Sequence, residues 1–111
     1  MKIPAVYIIT AHPGGPLHVK VTGDLRRIMW AHRNALPHHR IKSYPDCQLL
    51  YFEVTTNRYQ AMLRKRQICR SDTRTNVDMI HQINPTGCDI TDQIEELAAT
   101  MRPAEIQPPE S

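Results

Sequence analysis

Hydrophobic residues near the N-terminus follow the pattern of two β-strands joined by a turn. Residues 5–10 form an apolar, β-branched and aromatic run, and residues 11–16, AHPGGP, form a strong turn cluster. Along residues 17–21 apolar and polar side chains alternate, so that His18 and Lys20 lie on the polar face. These patterns predict a β-hairpin with a loop of about six residues.

A helical pattern and a short apolar run follow the hairpin. Thr22 or Asp24 is a suitable N-cap for a first helix. The side of that helix predicted to face the core consists of Leu25, Ile28, Met29 and His32. Residues 34–45 contain two prolines and are predicted to form a loop. The continuous apolar run at residues 48–54 predicts a central strand that is covered on both faces.

Three more helices are predicted from caps and periodicity. Residues 55–57 offer N-caps for a helix over residues 58–70, and residues 71–73 offer caps for the next, which ends at residues 84–87. The apolar stripe of the helix that follows residues 71–73 consists of Val77, Met79, Ile80 and Ile83. After an N-cap at Asp89 or Thr91, apolar residues recur at helical spacing at Ile90, Ile94, Leu97, Ala98 and Met101. Pro103 ends this last helix.

The predicted order of elements is β-β-α-β-α-α-α, which indicates an α+β fold with a small central three-stranded antiparallel sheet flanked by helices. A chain of 111 residues is long enough for one domain. We expect the main domain to span residues 1–88 and the C-terminal amphipathic helix, residues 89–102, to pack on it. Residues 103–111 are predicted to form a disordered tail.

Charge is unevenly distributed along the chain. The net charge is +3, but residues 20–74 contain twelve Lys or Arg and four Asp or Glu. Residues 75–111 contain seven acidic residues and Arg102 as the single base. An arginine-rich segment favours phosphate, because the guanidinium matches phosphate oxygens. The alternative is a solvated surface whose two halves neutralise each other.

Cysteine usage and hydropathy argue against a disulfide-rich, zinc-binding, membrane-spanning or secreted protein. Cys47, Cys69 and Cys88 are an odd number without the spacing of a disulfide framework or a zinc site. The sequence contains no apolar run of about 20 residues and no apparent secretion signal. We therefore expect a cytoplasmic protein that does not contact a membrane.

Several short motifs, in this order of elements, resemble the GIY-YIG nuclease domain family over about residues 4–90. Residues 5–7, Ala-Val-Tyr, correspond to the first tripeptide and residues 18–20, His-Val-Lys, to the second, with the family's ten intervening residues. Further similarities cover residues 21–25 followed by His32, residues 49–53 preceded by Tyr44, residues 61–68 and residues 83–85. The resemblance implies the family's fold and, from its small stand-alone members, a bacterial or phage origin.

The resemblance also implies an endonuclease active site, but several of its positions are exchanged. In the family the first Tyr helps activate the attacking water, and it corresponds to Tyr7. The second Tyr, which contacts the phosphate, corresponds to His18, and the phosphate-binding Arg to Ile28. The Glu that holds the divalent metal corresponds to Lys65. The vestigial catalytic positions are therefore Tyr7, His18, His32 and Asn84.

These exchanges predict binding without efficient cleavage. The Lys65 ammonium has three donors and no lone pair, so it cannot coordinate Mg²⁺ or Mn²⁺. Without a guanidinium at Ile28, the site lacks a transition-state donor of the kind worth ~3 kcal/mol. We expect a pseudoenzyme that uses no metal cofactor and binds DNA or another nucleic acid through its phosphates. The predicted nucleic-acid-binding residues are Lys20, Arg26, Arg27, Arg64 and Lys65.

Other functions stay open from the sequence. Asp24 and Glu53 could replace the lost carboxylate and give a weak or relocated metal-dependent DNA endonuclease. The acidic segment 89–102 could instead dock on a protein partner or on a second copy of the chain as a homodimer. The cluster of His32, His38 and His39 lacks the ligand spacing of a zinc site. Aromatic residues are only 5% of the chain, which argues against extensive stacking on single strands.

Overall fold

The computed structural model describes residues 1–12, 14–34 and 47–104, which form three strands and four α-helices. The strands are β1 (Ala5–Thr10), β2 (Leu17–Thr22) and β3 (Gln48–Val54). The helices are α1 (Leu25–Asn34), α2 (Arg58–Arg70), α3 (Thr73–Ile83) and α4 (Ile94–Thr100), the last preceded by a 3₁₀ turn at Thr91–Gln93. The predicted α+β layout is confirmed. Asn34 ends α1, and the rest of the predicted loop at 34–45 lies outside the described residues.

The strands form one antiparallel sheet in the order β2-β1-β3. The predicted hairpin is confirmed, with Tyr7 opposite Lys20 and Ile9 opposite His18. Gly14 supports the turn because its φ is +76°, a backbone angle that residues other than glycine rarely adopt. Opposite residues of neighbouring strands project to the same side, so His18 and Lys20 share the face of Tyr7.

The central strand is β1, so the prediction of a central position for residues 48–54 was wrong. β3 lies beside β1 and is largely buried, because helices cover both faces of the sheet. β3 has one extra residue, Leu50, opposite the step from Ile8 to Ile9 on β1, and this β-bulge explains the continuous apolar run of β3. The register shift turns Leu49 and Phe52 to one face and Leu50 and Tyr51 to the other.

Each face of the sheet has its own hydrophobic core. On the α1/α4 face the buried residues are Ala5, Tyr7, Ile9, Leu25, Met29, Cys47, Leu49, Phe52, Ile90 and Ile94. On the α2/α3 face they are Val6, Ile8, Leu50, Tyr51, Ala61, Ile68 and Ile80. Burying a large apolar side chain contributes about 1.5–3 kcal/mol, so these contacts hold the helices on the sheet. The sheet therefore separates α1 and α4 from α2 and α3.

Side-chain caps set the starts of α2 and α3 as the sequence predicted. The Asn57 side chain accepts a hydrogen bond from the backbone N–H of Gln60 at 2.9 Å. Asp72 accepts one from the N–H of Thr75 at 2.7 Å. Such caps satisfy backbone donors that the first helical turn leaves without partners.

The C-terminal helix packs on the core as predicted but is shorter than residues 89–102. The Asp89 carboxylate accepts from the hydroxyl and the backbone N–H of Thr91, which produces a 3₁₀ turn before α4. The same carboxylate accepts from the N–H of Leu49 at 3.0 Å and pairs with Arg33. Asp89 thus joins β3, α1 and the segment that leads into α4.

Ala104, within the segment 103–111 that the sequence predicts to be a disordered tail, is bonded to the sheet edge. The N–H of Ala104 donates to the carbonyl of Val54 at 2.8 Å, and Ala104 forms a parallel bridge with Thr55. The sheet edge beyond β3 supplies these partners, which the tail composition did not indicate. The rest of the tail, residues 105–111, lies outside the described residues.

Candidate nucleic-acid interface

Tyr7 and His32 are in contact, as the family motif implies, but both are buried. The Tyr7 hydroxyl lies 3.0 Å from His32 Nε2, and the two residues are 2% and 3% exposed. Burial, together with the nearby Cys47 thiol, raises the pKa of Tyr7 well above its ordinary value. A protonated phenol within the α1/α4 core is poorly suited to take a proton from water.

His18, Lys20 and Ile28 lie on the same side of the sheet as Tyr7. His18 is exposed and Lys20 half-buried on β2, opposite Ile9 and Tyr7 respectively. Ile28 packs against the α1/α4 core, so the position of the family's Arg is apolar and adjacent to the core. Beside it, Arg27 contributes to a pocket of about 230 Å³ with Lys2, Thr22, Gly23, Asp24, Ile28 and Ala31.

Lys65 lies on the other side of the sheet from these residues. Its helix, α2, packs through Ala61 and Ile68 against Val6, which alternates with Tyr7 along β1. Lys65 therefore lies on a helix that covers one face of the sheet, and Tyr7 projects from the other face. If the family's active-site geometry applied, Lys65 would lie at the metal position beside His18; the structure instead places the two residues on opposite sides of the sheet. A protonated Lys65 also does not fit the metal that the family implies, since it has no lone pair to donate.

Two of the predicted phosphate-binding arginines have acidic partners within the chain. Arg64 donates from Nε to both carboxylate oxygens of Glu53, at 2.9 and 3.1 Å, and the Tyr51 hydroxyl donates to the same carboxylate at 2.5 Å. The hydrogen bond to Glu53 raises the pKa of Arg64 despite partial burial. Arg26 forms an exposed ion pair with Glu95. Arg64 thus holds α2 against β3.

Asn84 has a structural position at the end of α3. It is 2% exposed, and its side-chain amide donates to the carbonyls of Leu50 at 3.0 Å and Cys88 at 2.7 Å. These bonds attach the chain after α3 to β3. Tyr7 and His32 thus meet between β1 and α1, whereas the Asn84 side chain bonds to backbone carbonyls of β3 and of the segment after α3.

The carboxylates considered for a relocated nuclease site are also separate. Asp24 precedes α1 and accepts from the N–H of Ile3 at 3.4 Å. Glu53 lies opposite Val6 on the α2/α3 face and is occupied by Arg64 and Tyr51. Among the residues that the structure describes, no group of three or more His, Cys, Asp or Glu is placed to hold a metal ion. His38 and His39 of the histidine cluster lie outside the described residues.

One side of α2 carries several basic residues. We call it the α2 basic face; it consists of the exposed Arg58, Tyr59, Met62, Arg66 and Arg70 and the half-buried Lys65. α2 contains no acidic residue, and none of the salt bridges within the described ranges involves Arg58, Lys65, Arg66 or Arg70. Of this set, only Lys65 was predicted from the sequence.

Helical periodicity could have identified the residues that were missed. Arg58, Met62, Arg66 and Arg70 recur every four residues and so form one ridge of the helix. Arg64 lies outside this ridge, next to the buried side that carries Ala61 and Ile68. A motif alignment shows Arg64, Lys65 and Arg66 only as three consecutive basic residues, and so it does not distinguish the exposed ridge of α2 from its buried side.

An acidic segment lies on the opposite side of the sheet from the α2 basic face. α4 and its preceding turn contain Asp92, Glu95 and Glu96, and these follow Asp89 on the α1/α4 face. There Glu95 and Asp89 pair with Arg26 and Arg33, so much of the positive charge of α1 is neutralised. The apolar side of α4 packs on the core through Ile94 and is not free to dock elsewhere.

No described helix is long and apolar enough to cross a membrane. Comparisons with family models, with curated proteins and with solved structures find no match to this chain. The nuclease resemblance therefore stays a prediction from the motifs and from the order of elements.

Proposed function

We propose that this chain is a nuclease-like domain that binds nucleic acid through the α2 basic face and does not cleave it efficiently. The observation that carries the proposal is the α2 basic face itself. Four cations, Arg58, Lys65, Arg66 and Arg70, lie along a 13-residue helix that contains no acid. Contacts between such side chains and phosphates release counterions and are independent of base sequence.

Weak or absent cleavage follows from the chemistry of the family's active-site positions. Tyr7 is buried with a raised pKa, and Ile28 cannot stabilise charge on a phosphate. The loss of a guanidinium of this kind typically raises the barrier by ~3 kcal/mol, or about a hundredfold in rate. Lys65 offers no carboxylate to a metal ion. Asp24 precedes α1 on one side of the sheet, whereas Glu53 of β3 faces α2 on the other. We therefore expect nucleic-acid binding that needs no divalent cation.

Binding is tested with fluorescence anisotropy on a labelled 20-nucleotide oligonucleotide at 50 and 200 mM salt. With three or four phosphate contacts, the affinity should fall roughly 10- to 100-fold between these salt concentrations. Neutralising the α2 basic face with Arg66→Gln and Arg70→Gln should weaken binding at least tenfold. The matched control is Lys2→Gln with Arg102→Gln, which removes the same charge elsewhere and should change the affinity less than twofold.

Cleavage is tested with supercoiled plasmid in Mg²⁺, in Mn²⁺ and after chelation. We expect no metal-dependent nicking at ordinary enzyme concentrations and the same binding affinity with and without the chelator. Metal-dependent nicking would refute the non-catalytic part of the proposal. An affinity that is insensitive to salt and to Arg66→Gln with Arg70→Gln would refute the binding part.

A further inference from the structure

Two large apolar side chains are exposed within the α2 basic face. Tyr59 is 56% exposed and Met62 is 38% exposed. Tyr59, Met62 and Arg66 are spaced i, i+3 and i+7, so they lie side by side on the helix surface. α2 contacts the core through Ala61 and Ile68, and Leu63 is its third buried residue. The ring of Tyr59 is thus presented to solvent among cations.

An exposed aromatic ring among cations favours single-stranded over double-stranded nucleic acid. In a duplex the flat faces of the bases are stacked on one another, and a protein reaches only phosphates, sugars and base edges. An aromatic ring gains stacking energy only from a base that is unpaired and accessible. Cations alone would suit any polyanion, whereas Tyr59 beside Arg66 also suits the flat face of a base.

We infer that the α2 basic face binds single-stranded nucleic acid, with one unpaired base stacked on Tyr59 and neighbouring phosphates on Arg66 and Arg70. The inference rests on the proposed function and names the substrate class of that same site. Met62 supplies apolar contact next to the stacked base. One stacking position is compatible with an aromatic content of 5%, which argues only against a row of such platforms.

Four probes of equal length test this inference by anisotropy at one low salt concentration. They are a 15-nucleotide oligothymidylate, the matching oligouridylate, a 15-base-pair duplex and an abasic 15-mer that has phosphates without bases. We expect the two single strands to bind at least tenfold more tightly than the abasic strand and more tightly than the duplex. A difference between oligothymidylate and oligouridylate would assign the site to DNA or to RNA, and equal affinity would assign it to both.

Substitutions of Tyr59 separate stacking from charge. Tyr59→Ala should weaken oligothymidylate binding about 10- to 100-fold and leave the abasic strand unaffected. Tyr59→Phe keeps the ring and should bind within about twofold of the native chain. Because Tyr59 is exposed, these changes remove no core contact, and circular dichroism will verify that the fold is kept.

A fluorescent reporter gives a second readout. Trp30, on α1, is the only tryptophan, so Tyr59→Trp combined with Trp30→Phe moves the fluorophore to the α2 basic face. Oligothymidylate should quench its emission by stacking, whereas the abasic strand should not.

The outcomes distinguish this inference from the proposed function. If the abasic strand and the duplex bind as tightly as oligothymidylate and Tyr59→Ala has no effect, stacking is refuted while phosphate binding stands. If none of the four probes binds in a salt-dependent way, the proposed function itself fails. Quenching together with loss of binding in Tyr59→Ala supports both.

Discussion

Arginine side chains of equal charge have different roles in this chain because their surroundings differ. Arg33 donates to Asp89, to the hydroxyl of Thr91 at 3.0 Å and to the carbonyl of Cys47 at 3.2 Å. Arg64 binds the Glu53 carboxylate in a partly buried position. Partly buried, multiply bonded pairs of this kind join elements, whereas an exposed pair such as Arg26–Glu95 contributes little. The exposed α2 cations Arg58, Arg66 and Arg70 belong to none of the ion pairs that the described residues form.

At the residue scale, Asp89→Asn should destabilise the fold in a pH-dependent way. Burial opposes ionisation of Asp89, but hydrogen bonds from Thr91, Leu49 N–H and Arg33 outweigh it and lower its pKa. Its ionised form therefore stabilises the fold at neutral pH, and that stabilisation is lost as the pH falls below about 4 towards the lowered pKa. We expect a loss of about 1–2 kcal/mol at pH 7 by urea denaturation.

The same measurement at pH 3 and with a second variant tests the cause. The difference between the native chain and Asp89→Asn should shrink at pH 3, because the Asp89 carboxyl of the unfolded chain, with its ordinary pKa of about 3.9, is then largely protonated, and this favours unfolding. Asp92→Asn, in the exposed part of the same turn, should change the free energy of unfolding by less than about 0.5 kcal/mol. An Asp89→Asn effect of equal size at both pH values would rule out the charge as its source.

Sequence motifs predicted which residues matter locally but not which of them meet in space. Tyr7 and His32 were grouped by the family pattern, and they do form a hydrogen bond. Arg64 and Lys65 were both predicted to bind nucleic acid, although consecutive helical residues point about 100° apart. Only tertiary packing decides that Arg64 meets Glu53, eleven residues earlier in the chain.

At the element scale, α2 is held on the sheet by few apolar side chains. Its buried residues are Ala61, Leu63 and Ile68. A 13-residue helix in isolation is marginal in water, so its cap and the Arg64–Glu53 pair add needed stability. A helix with a small apolar stripe leaves most of its surface for solvent or for a ligand, which agrees with the α2 basic face.

Asn57→Ala should therefore lower the free energy of unfolding by ~1 kcal/mol, because the Gln60 N–H loses its acceptor. Asn57→Ser keeps an N-cap oxygen and no charge, so it should cost only a few tenths of that amount. Both are measured by thermal or urea denaturation. Equal losses in the two variants would show that the cap oxygen is not what Asn57 contributes.

Element bounds were predictable where caps and hydrophobic period agree. The predicted limits of β3 and α2 match the structure, because the Asn57 cap and the apolar run at residues 48–54 are both local signals. The position of β3 in the sheet was not predictable from its apolar run, since the bulge opposite Ile8 and Ile9 produces the same pattern. The face on which α2 packs likewise depends on the whole fold, and it separates Lys65 from Tyr7.

At the scale of the whole molecule, the α2 basic face lies on one side of the sheet, and Asp92 and Glu96 of the acidic segment lie on the other. The molecule measures 27 Å along its shortest axis, whereas exposed charges are screened beyond about 8 Å at physiological salt. The local charge of a surface, and not the net charge of +3, should therefore govern the binding of a polyanion.

This argument predicts that Asp92→Asn combined with Glu96→Gln leaves oligonucleotide affinity within about twofold at physiological salt, although the net charge rises by two. Arg66→Gln combined with Arg70→Gln changes the net charge by the same amount with opposite sign, and it should weaken binding at least tenfold. Anisotropy with one labelled strand measures both pairs. A tenfold gain from neutralising the acidic side would mean that overall charge attracts the ligand. A large loss of affinity from the α2 pair together with no gain from the acidic pair would instead show that the charges of α2 attract the ligand.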